Sequence, residues 1–126
     1  MSSRADTKVL VVDDAVFMRT VLKDVLTSNG FPNIIEAGDG AAAVEAYKKN
    51  KPNLVTMDIN MPGTDGIAAL KSIIAMDPAA KVIMVTSVEQ KQIVQDAIKL
   101  GAKDYIVKPF DKNMVAAVLN KVLRSR

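Results

Sequence analysis

Five short apolar runs punctuate the chain at near-regular intervals: Lys8–Val12, Ile34–Ala37, Asn53–Met57, Lys81–Thr86 and Asp104–Val107. Most are continuous rather than alternating, the pattern of parallel strands covered on both faces. Between them the apolar residues recur at helical spacing. In Ala15–Ser28, residues Val16, Met18, Val21, Leu22, Val25 and Leu26 fall three and four apart, and Asn29-Gly30 then ends the pattern. Ala41–Lys49, Ile67–Met76, Glu89–Leu100 and Lys112–Leu123 repeat this behaviour, with Asp77-Pro78 and Gly101 as two of the stops. Strict alternation of this kind predicts an α/β fold of (βα)5 type, a doubly wound five-stranded parallel sheet with right-handed crossovers and helices on both faces. No linker, repeat or shift of composition divides the sequence, so one domain over 1–126 is expected, with its core at about 8–123.

Composition narrows the chemistry by what is missing. The 126 residues include neither cysteine nor histidine. Thiolate metal sites, cysteine nucleophiles, imidazole bases and Ser–His–Asp triads are thereby excluded. Whatever this chain does must use carboxylates, hydroxyls, lysines or a hard cation bound through oxygen. Tryptophan is also absent and aromatic residues are only 4%, which argues against stacking on single-stranded nucleic acid. The net charge of +3 is scattered, and only Arg124-Ser125-Arg126 is locally basic, so a nucleic-acid partner is not expected. No apolar run approaches the ~20 residues of a membrane span, and cytoplasm is the expected compartment.

In parallel α/β sheets ligands bind beyond the carboxyl ends of the strands. Here those ends deliver Asp13-Asp14, Gly38-Asp39-Gly40, Asp58 followed by Asn60, Met61 and Pro62, Thr86-Ser87, and Lys108-Pro109. Three carboxylates sharing one edge repel one another unless a cation lies among them or some are protonated. Mg²⁺ accepts such oxygens, and the backbone carbonyl of Asn60 is a plausible further ligand to it. A simple helix cap at Ala15 would account for one aspartate, but not for the second or for Asp58. A carboxylate beside Mg²⁺ can attack phosphorus. Lys108 and the Thr86 hydroxyl could then stabilise the transferring group.

These segments resemble the receiver domain of two-component response regulators. The likeness is carried by Val9-Leu10-Val11-Val12-Asp13-Asp14, Met57-Asp58-Ile59-Asn60-Met61-Pro62 with Asp65-Gly66, Val85-Thr86-Ser87, and Lys108-Pro109-Phe110. It extends from about Lys8 to Leu123. Asp13-Asp14-Ala15-Val16-Phe17-Met18-Arg19, with Tyr105 ahead of Lys108, is similar to the single-domain chemotaxis regulators that act on the flagellar motor. The resemblance implies a flavodoxin-like sheet of order 2-1-3-4-5. It implies Asp58 as phosphoacceptor, Asp13, Asp14, Asp58 and the Asn60 carbonyl around Mg²⁺, Lys108 on the phosphate, and Thr86 with Tyr105 as a switch pair. A histidine kinase would be the phosphodonor and a flagellar motor switch protein the target. Val88 is apolar where some family members carry an acid, which leaves a partner phosphatase open.

Other readings compete. Gly38-Asp39-Gly40-Ala41-Ala42-Ala43, with Asp58 twenty residues past Gly38, outlines a dinucleotide fingerprint. It lies on the second strand, however, and Asp39 would face a pyrophosphate with negative charge, so a turn and tight helix start is preferred. A Mg²⁺-dependent phosphohydrolase with an aspartyl-phosphate intermediate would place two acids two apart on one strand end. Here Asp58 is followed by Ile59 and the amide Asn60. A stand-alone phosphorelay intermediate, or the receiver of a larger regulator, also fits the pattern.

Overall fold

The computed structural model describes residues 4–59, 61, 66–87 and 91–124. After a 3-10 turn at Arg4–Asp6, strands β1 (Val9–Val12), β2 (Ile34–Ala37), β3 (Leu54–Asp58), β4 (Val82–Thr86) and β5 (Asp104–Val107) alternate with five helices. These are α1 (Val16–Ser28), α2 (Gly40–Asn50), α3 (Gly66–Met76), α4 (Lys91–Leu100) and α5 (Lys112–Arg124). All strand pairs are parallel, in the order β2-β1-β3-β4-β5. The expected topology is the observed one.

The sheet has two covered faces. Leu10, Val12, Val55, Met57, Val82 and Met84 pack with residues of α2, α3 and α4 on one side. Val9, Val11, Leu54 and Ile83 pack with Leu22 and Leu26 of α1 and Val115, Leu119 and Val122 of α5 on the other. Alternate residues of one strand therefore serve opposite layers, which is why β1, β3 and β4 are buried throughout and read as unbroken apolar runs. The edge strands β2 and β5 are only partly covered. Among the described residues no helix is long and apolar enough to cross a membrane.

Helix ends follow the expected stops. Gly30 (φ 92°) and Gly101 (φ 122°) adopt left-handed backbone. Beyond α1, the Phe31 and Gly30 N–H groups donate to the carbonyls of Leu26 and Thr27. Beyond α4, Ala102 and Gly101 donate to Ala97 and Ile98 in the same way. Both are Schellman closures, and the first places Phe31 over Leu26 in the core.

Boundaries depart from the sequence reading by a residue or so. Lys8, Asn53 and Lys81 precede their strands, and Asp58 lies within β3. The start expected for α4 at Glu89 falls outside the described residues. Neither Asp13 nor Asp14 caps α1: Ala15 is the N-cap residue and offers no side-chain bond. Asp39 does cap α2, its carboxylate accepting the Ala42 N–H at 2.7 Å. The glycine-rich segment thus starts a helix, as preferred above, and its aspartate is engaged by its own backbone.

Candidate functional site: an acidic cleft at the carboxyl edge of the sheet

β1 and β3 are neighbours, with Val12 beside Met57, so their next residues, Asp13 and Asp58, emerge side by side. Asp13 is fixed unusually tightly for a loop residue. Its N–H donates to Ala37 O at 3.2 Å, extending the β1–β2 ladder by one bond. Its Oδ1 accepts the Ala15 N–H at 2.9 Å, and its backbone carbonyl accepts from Arg19 Nη1 at 2.6 Å. Asp13 and Asp58 are both buried, whereas Asp14 is exposed. One carboxylate oxygen from each of the three lies within 4.8 Å of the others.

Lys108, one residue beyond β5, reaches into the cluster. Its Nζ is 3.4 Å from Asp58 Oδ1 and 3.5 Å from Asp13 Oδ2. Both separations are at the long end for a charge-assisted hydrogen bond. One ammonium thus answers two buried carboxylates loosely, and three acids outnumber it. Burial is the main cause that holds the Asp58 carboxyl above its ordinary range. Lys108 pulls in the opposite direction, while Asp13 and Asp14 add to the rise. A compact set of hard oxygen donors with excess negative charge fits a small divalent cation such as Mg²⁺. The chemistry open to the cleft is binding that cation and offering the Asp58 carboxylate to an electrophile.

Thr86 closes β4 next to this cluster. It is buried, and its hydroxyl donates to the Ser87 carbonyl at 3.2 Å. Tyr105, on β5, is 44% exposed. Together they line a groove of about 520 Å³ against Val94 and Ile98 of α4, with Lys91 and Lys99 at its rim. The structure thus brings Asp13, Asp14, Asp58 and Lys108 into one cleft, and Thr86 and Tyr105 into one adjoining groove. Asn60, Pro62, Asp65 and Val88 lie outside the described residues.

One feature of the site escaped sequence reasoning, and a second was quoted there only as part of the family likeness. Arg19 bridges Asp13 and Glu36, and Lys23 holds the other oxygen of Glu36 at 2.9 Å. Charges on α1 and β2 cannot be paired until register is known; the one available signal was the i, i+4 spacing of Arg19 and Lys23. The other is Gly66, whose N–H donates to Ile59 O at 3.1 Å. A Cβ there would lie 2.1 Å from the Asp58 carbonyl oxygen. Backbone approaches this close demand glycine.

Comparison with known proteins agrees with this geometry. Residues 9–120 match the family described as the response regulator receiver domain. Chemotaxis protein CheY of Bacillus subtilis is 53% identical over 116 residues, which span 92% of this chain and 97% of that protein. CheY of Thermotoga maritima is 52% identical over 115 residues, spanning 91% of this chain and 96% of that protein. Among solved structures, a CheX–CheY–BeF₃–Mg²⁺ complex from Borrelia burgdorferi superposes with a TM-score of 0.90 at 40% identity, covering 95% of this chain and 91% of that one. The chain belongs to the response regulator receiver domain family, and its relatives there include proteins of CheY type.

Proposed function

We propose that this receiver takes a phosphoryl group from a phosphohistidine of a separate kinase onto Asp58 and thereby alters its surface for a protein target. The observation that carries this reading is the position of Asp58: buried at the end of the central strand, beside two further acids and within 3.4 Å of Lys108. An Asp58 oxygen would bond to phosphorus as the phosphorus–nitrogen bond to the donor imidazole breaks. Lys108 Nζ is placed to accompany the arriving negative charge, releasing its loose hold on the two carboxylates. Asp13, Asp14 and Asp58 would hold Mg²⁺, with the Asn60 carbonyl as a further ligand. The cation, when bound, supplies charge neutralisation that lets an anionic donor approach an anionic nucleophile. That the Borrelia CheY structure is a complex with both BeF₃ and Mg²⁺ supports a role for this cation in a relative of the same fold.

The output reading rests on the groove beside the cleft. Phosphoryl oxygens on Asp58 would draw the Thr86 hydroxyl inward, and the exposed Tyr105 ring would turn into the space vacated. The α4–β5–α5 surface would change with it, and by likeness to the CheY proteins its target is a flagellar motor switch protein. The Borrelia CheY is bound to a second protein, CheX, and a protein partner that acts on the phosphorylated form belongs to the same proposal. Self-phosphorylation from small donors and self-dephosphorylation belong to the same proposal; turnover of phosphate esters as a substrate does not.

Incubation with acetyl phosphate and Mg²⁺ should add one phosphoryl mass to the intact protein, and Asp58→Asn should abolish it. Equal labelling of the Asn variant would refute the assignment. Thr86→Ala should still be labelled yet gain little affinity for its target on labelling.

A further inference from the structure

Arg19 is the only described residue outside their own loop with a side chain that grips the backbone between the two aspartates that follow β1. Its Nη1 donates to the Asp13 carbonyl at 2.6 Å, a short bond even for a charged donor. Its Nε donates to Glu36 Oε1 at 3.0 Å. Glu36 Oε2 is in turn held by Lys23 at 2.9 Å, one turn further along α1. The Arg19 side chain is 15% exposed, and its Nη1 lies near Gly38, at ordinary contact distance (3.5 Å) from where a Cβ would stand. Lys23 and Glu36 thus form a relay behind Arg19, which alone of the three touches the Asp13–Asp14 peptide.

The Asp13 carboxylate closes a local turn over that peptide by accepting the Ala15 N–H at 2.9 Å, and among the described residues Arg19 alone holds its carbonyl from another element. The Asp13 carbonyl belongs to the Asp13–Asp14 peptide, and rotating this plane re-aims the exposed Asp14 side chain relative to Asp13. Ala15, as N-cap, offers no side chain to fix the entry into α1. The N–H of Asp13 is tied to Ala37, so the plane before Asp13 is set by the sheet. The plane after it is held by Arg19 as well as by that turn.

We propose that Arg19, braced by Glu36, is a positioning residue that orients the Asp13–Asp14 peptide so that both carboxylates face one cation. This rests on the reading of Asp13, Asp14 and Asp58 as a divalent cation site. The alternative, that Arg19 acts only through its charge, predicts the opposite sign. A nearby positive charge repels Mg²⁺, so removing it should tighten metal binding. Losing the orientation of two ligands should instead weaken it, by about 10-fold on the scale of outer-shell partners of metal sites.

The test is direct titration of unphosphorylated, EDTA-treated protein with Mg²⁺ by calorimetry, for wild type, Arg19→Met, Arg19→Lys and Asp14→Asn. Thermal melts in EDTA establish that each variant is folded. Binding in Arg19→Met should weaken about 10-fold, and the loss should persist at about 0.5 M KCl, where charge effects between exposed groups are screened. Arg19→Lys should fall between, because a single ammonium cannot replace two nitrogens aimed at different partners. Unchanged or tighter binding in Arg19→Met, with Asp14→Asn weakened, overturns the positioning role and leaves the cation site standing. Absence of Mg²⁺ binding in wild type overturns both. Should Arg19→Met fail to fold, Arg19→Lys decides alone, and wild-type affinity in it refutes the proposal.

Discussion

The two ends of the sheet both carry acids and lysines, yet they are wired differently. At the amino end, near the start of β4, Asp77 has both oxygens engaged: Tyr47 Oη donates to one at 2.7 Å and the Ala79 N–H to the other at 3.1 Å. Lys81 donates to the Leu123 carbonyl at 3.3 Å, answering the C-terminus of α5. These groups border a groove of about 800 Å³, larger than the one beside Tyr105. At the carboxyl end three carboxylates share one loosely held ammonium. Groove size therefore does not locate the site here. Charge balance does: the amino end is closed by internal partners, and the carboxyl end is left short of positive charge, a deficit that an external cation can fill.

The largest break in this contrast is expected at Gly66, where α3 rests against the end of β3. An alanine Cβ would stand 2.1 Å from Asp58 O and 2.9 Å from Ile59 Cα, both backbone atoms that no rotamer change can move. Gly66→Ala should cost roughly 3 kcal/mol by urea denaturation, the upper part of the usual range for overpacking. It should also slow labelling by acetyl phosphate, since relief requires Asp58 itself to shift. Wild-type stability together with wild-type labelling would show that the approach is not confining.

Gly66 also shows what the sequence could and could not disclose. The alternation of runs was enough for the strand and helix inventory, because central strands are buried on both faces and need unbroken apolar stretches. The carboxyl-edge residues Asp13, Asp14, Asp58 and Lys108 were legible because the fold rule says where to look, and acids at strand ends have no packing reason to be there. Glu36 was not legible. On an edge strand its neighbours come from α1, and its pairing with Arg19 and Lys23 follows from the β1–β2 register, not from local pattern. The Tyr47–Asp77 bond spans 30 residues and two elements, and is hidden for the same reason.

A pair of substitutions should sharpen the contrast by giving opposite signs. Tyr47→Phe removes an internal hydrogen bond and should destabilise by about 1 kcal/mol while leaving labelling unchanged. Burial chiefly, then the bond to Asp77, pushes the Tyr47 hydroxyl well above its ordinary pKa. Its folded value being raised, the contribution is present below the unfolded value and fades only as pH climbs past roughly 10. Asp58→Asn should instead stabilise the metal-free protein at pH 7 by about 1 kcal/mol, since it removes a poorly compensated buried charge. The Asp58 carboxyl is likewise raised, so the folded state holds that proton more tightly than the unfolded state does. Its penalty grows as pH rises through the folded value and vanishes below the unfolded one. The stability gap between wild type and Asp58→Asn, measured in EDTA, should therefore close on acidification. A gap that widened toward acid would contradict the charge deficit.

Thr56 lies between the two ends and should give the smallest effect. It sits two residues before Asp58 on β3, so its side chain projects from the same face of the sheet, beneath the cleft. It is fully buried, and its Oγ1 has no hydrogen-bond partner among the described residues. Its neighbours in register are Val11 and Ile83, both apolar members of the layer beneath α1 and α5. A buried hydroxyl without a partner pays its desolvation with no return, whereas valine fills nearly the same shape with a methyl group. Thr56→Val should accordingly stabilise the protein by about 0.5 kcal/mol, with Mg²⁺ affinity and labelling rate unchanged. That outcome would confine the charge deficit to the strand ends. A loss of stability together with slower labelling would mean that the polar cleft continues down β3 through Thr56, and the boundary between the open and closed regions would move one layer into the sheet.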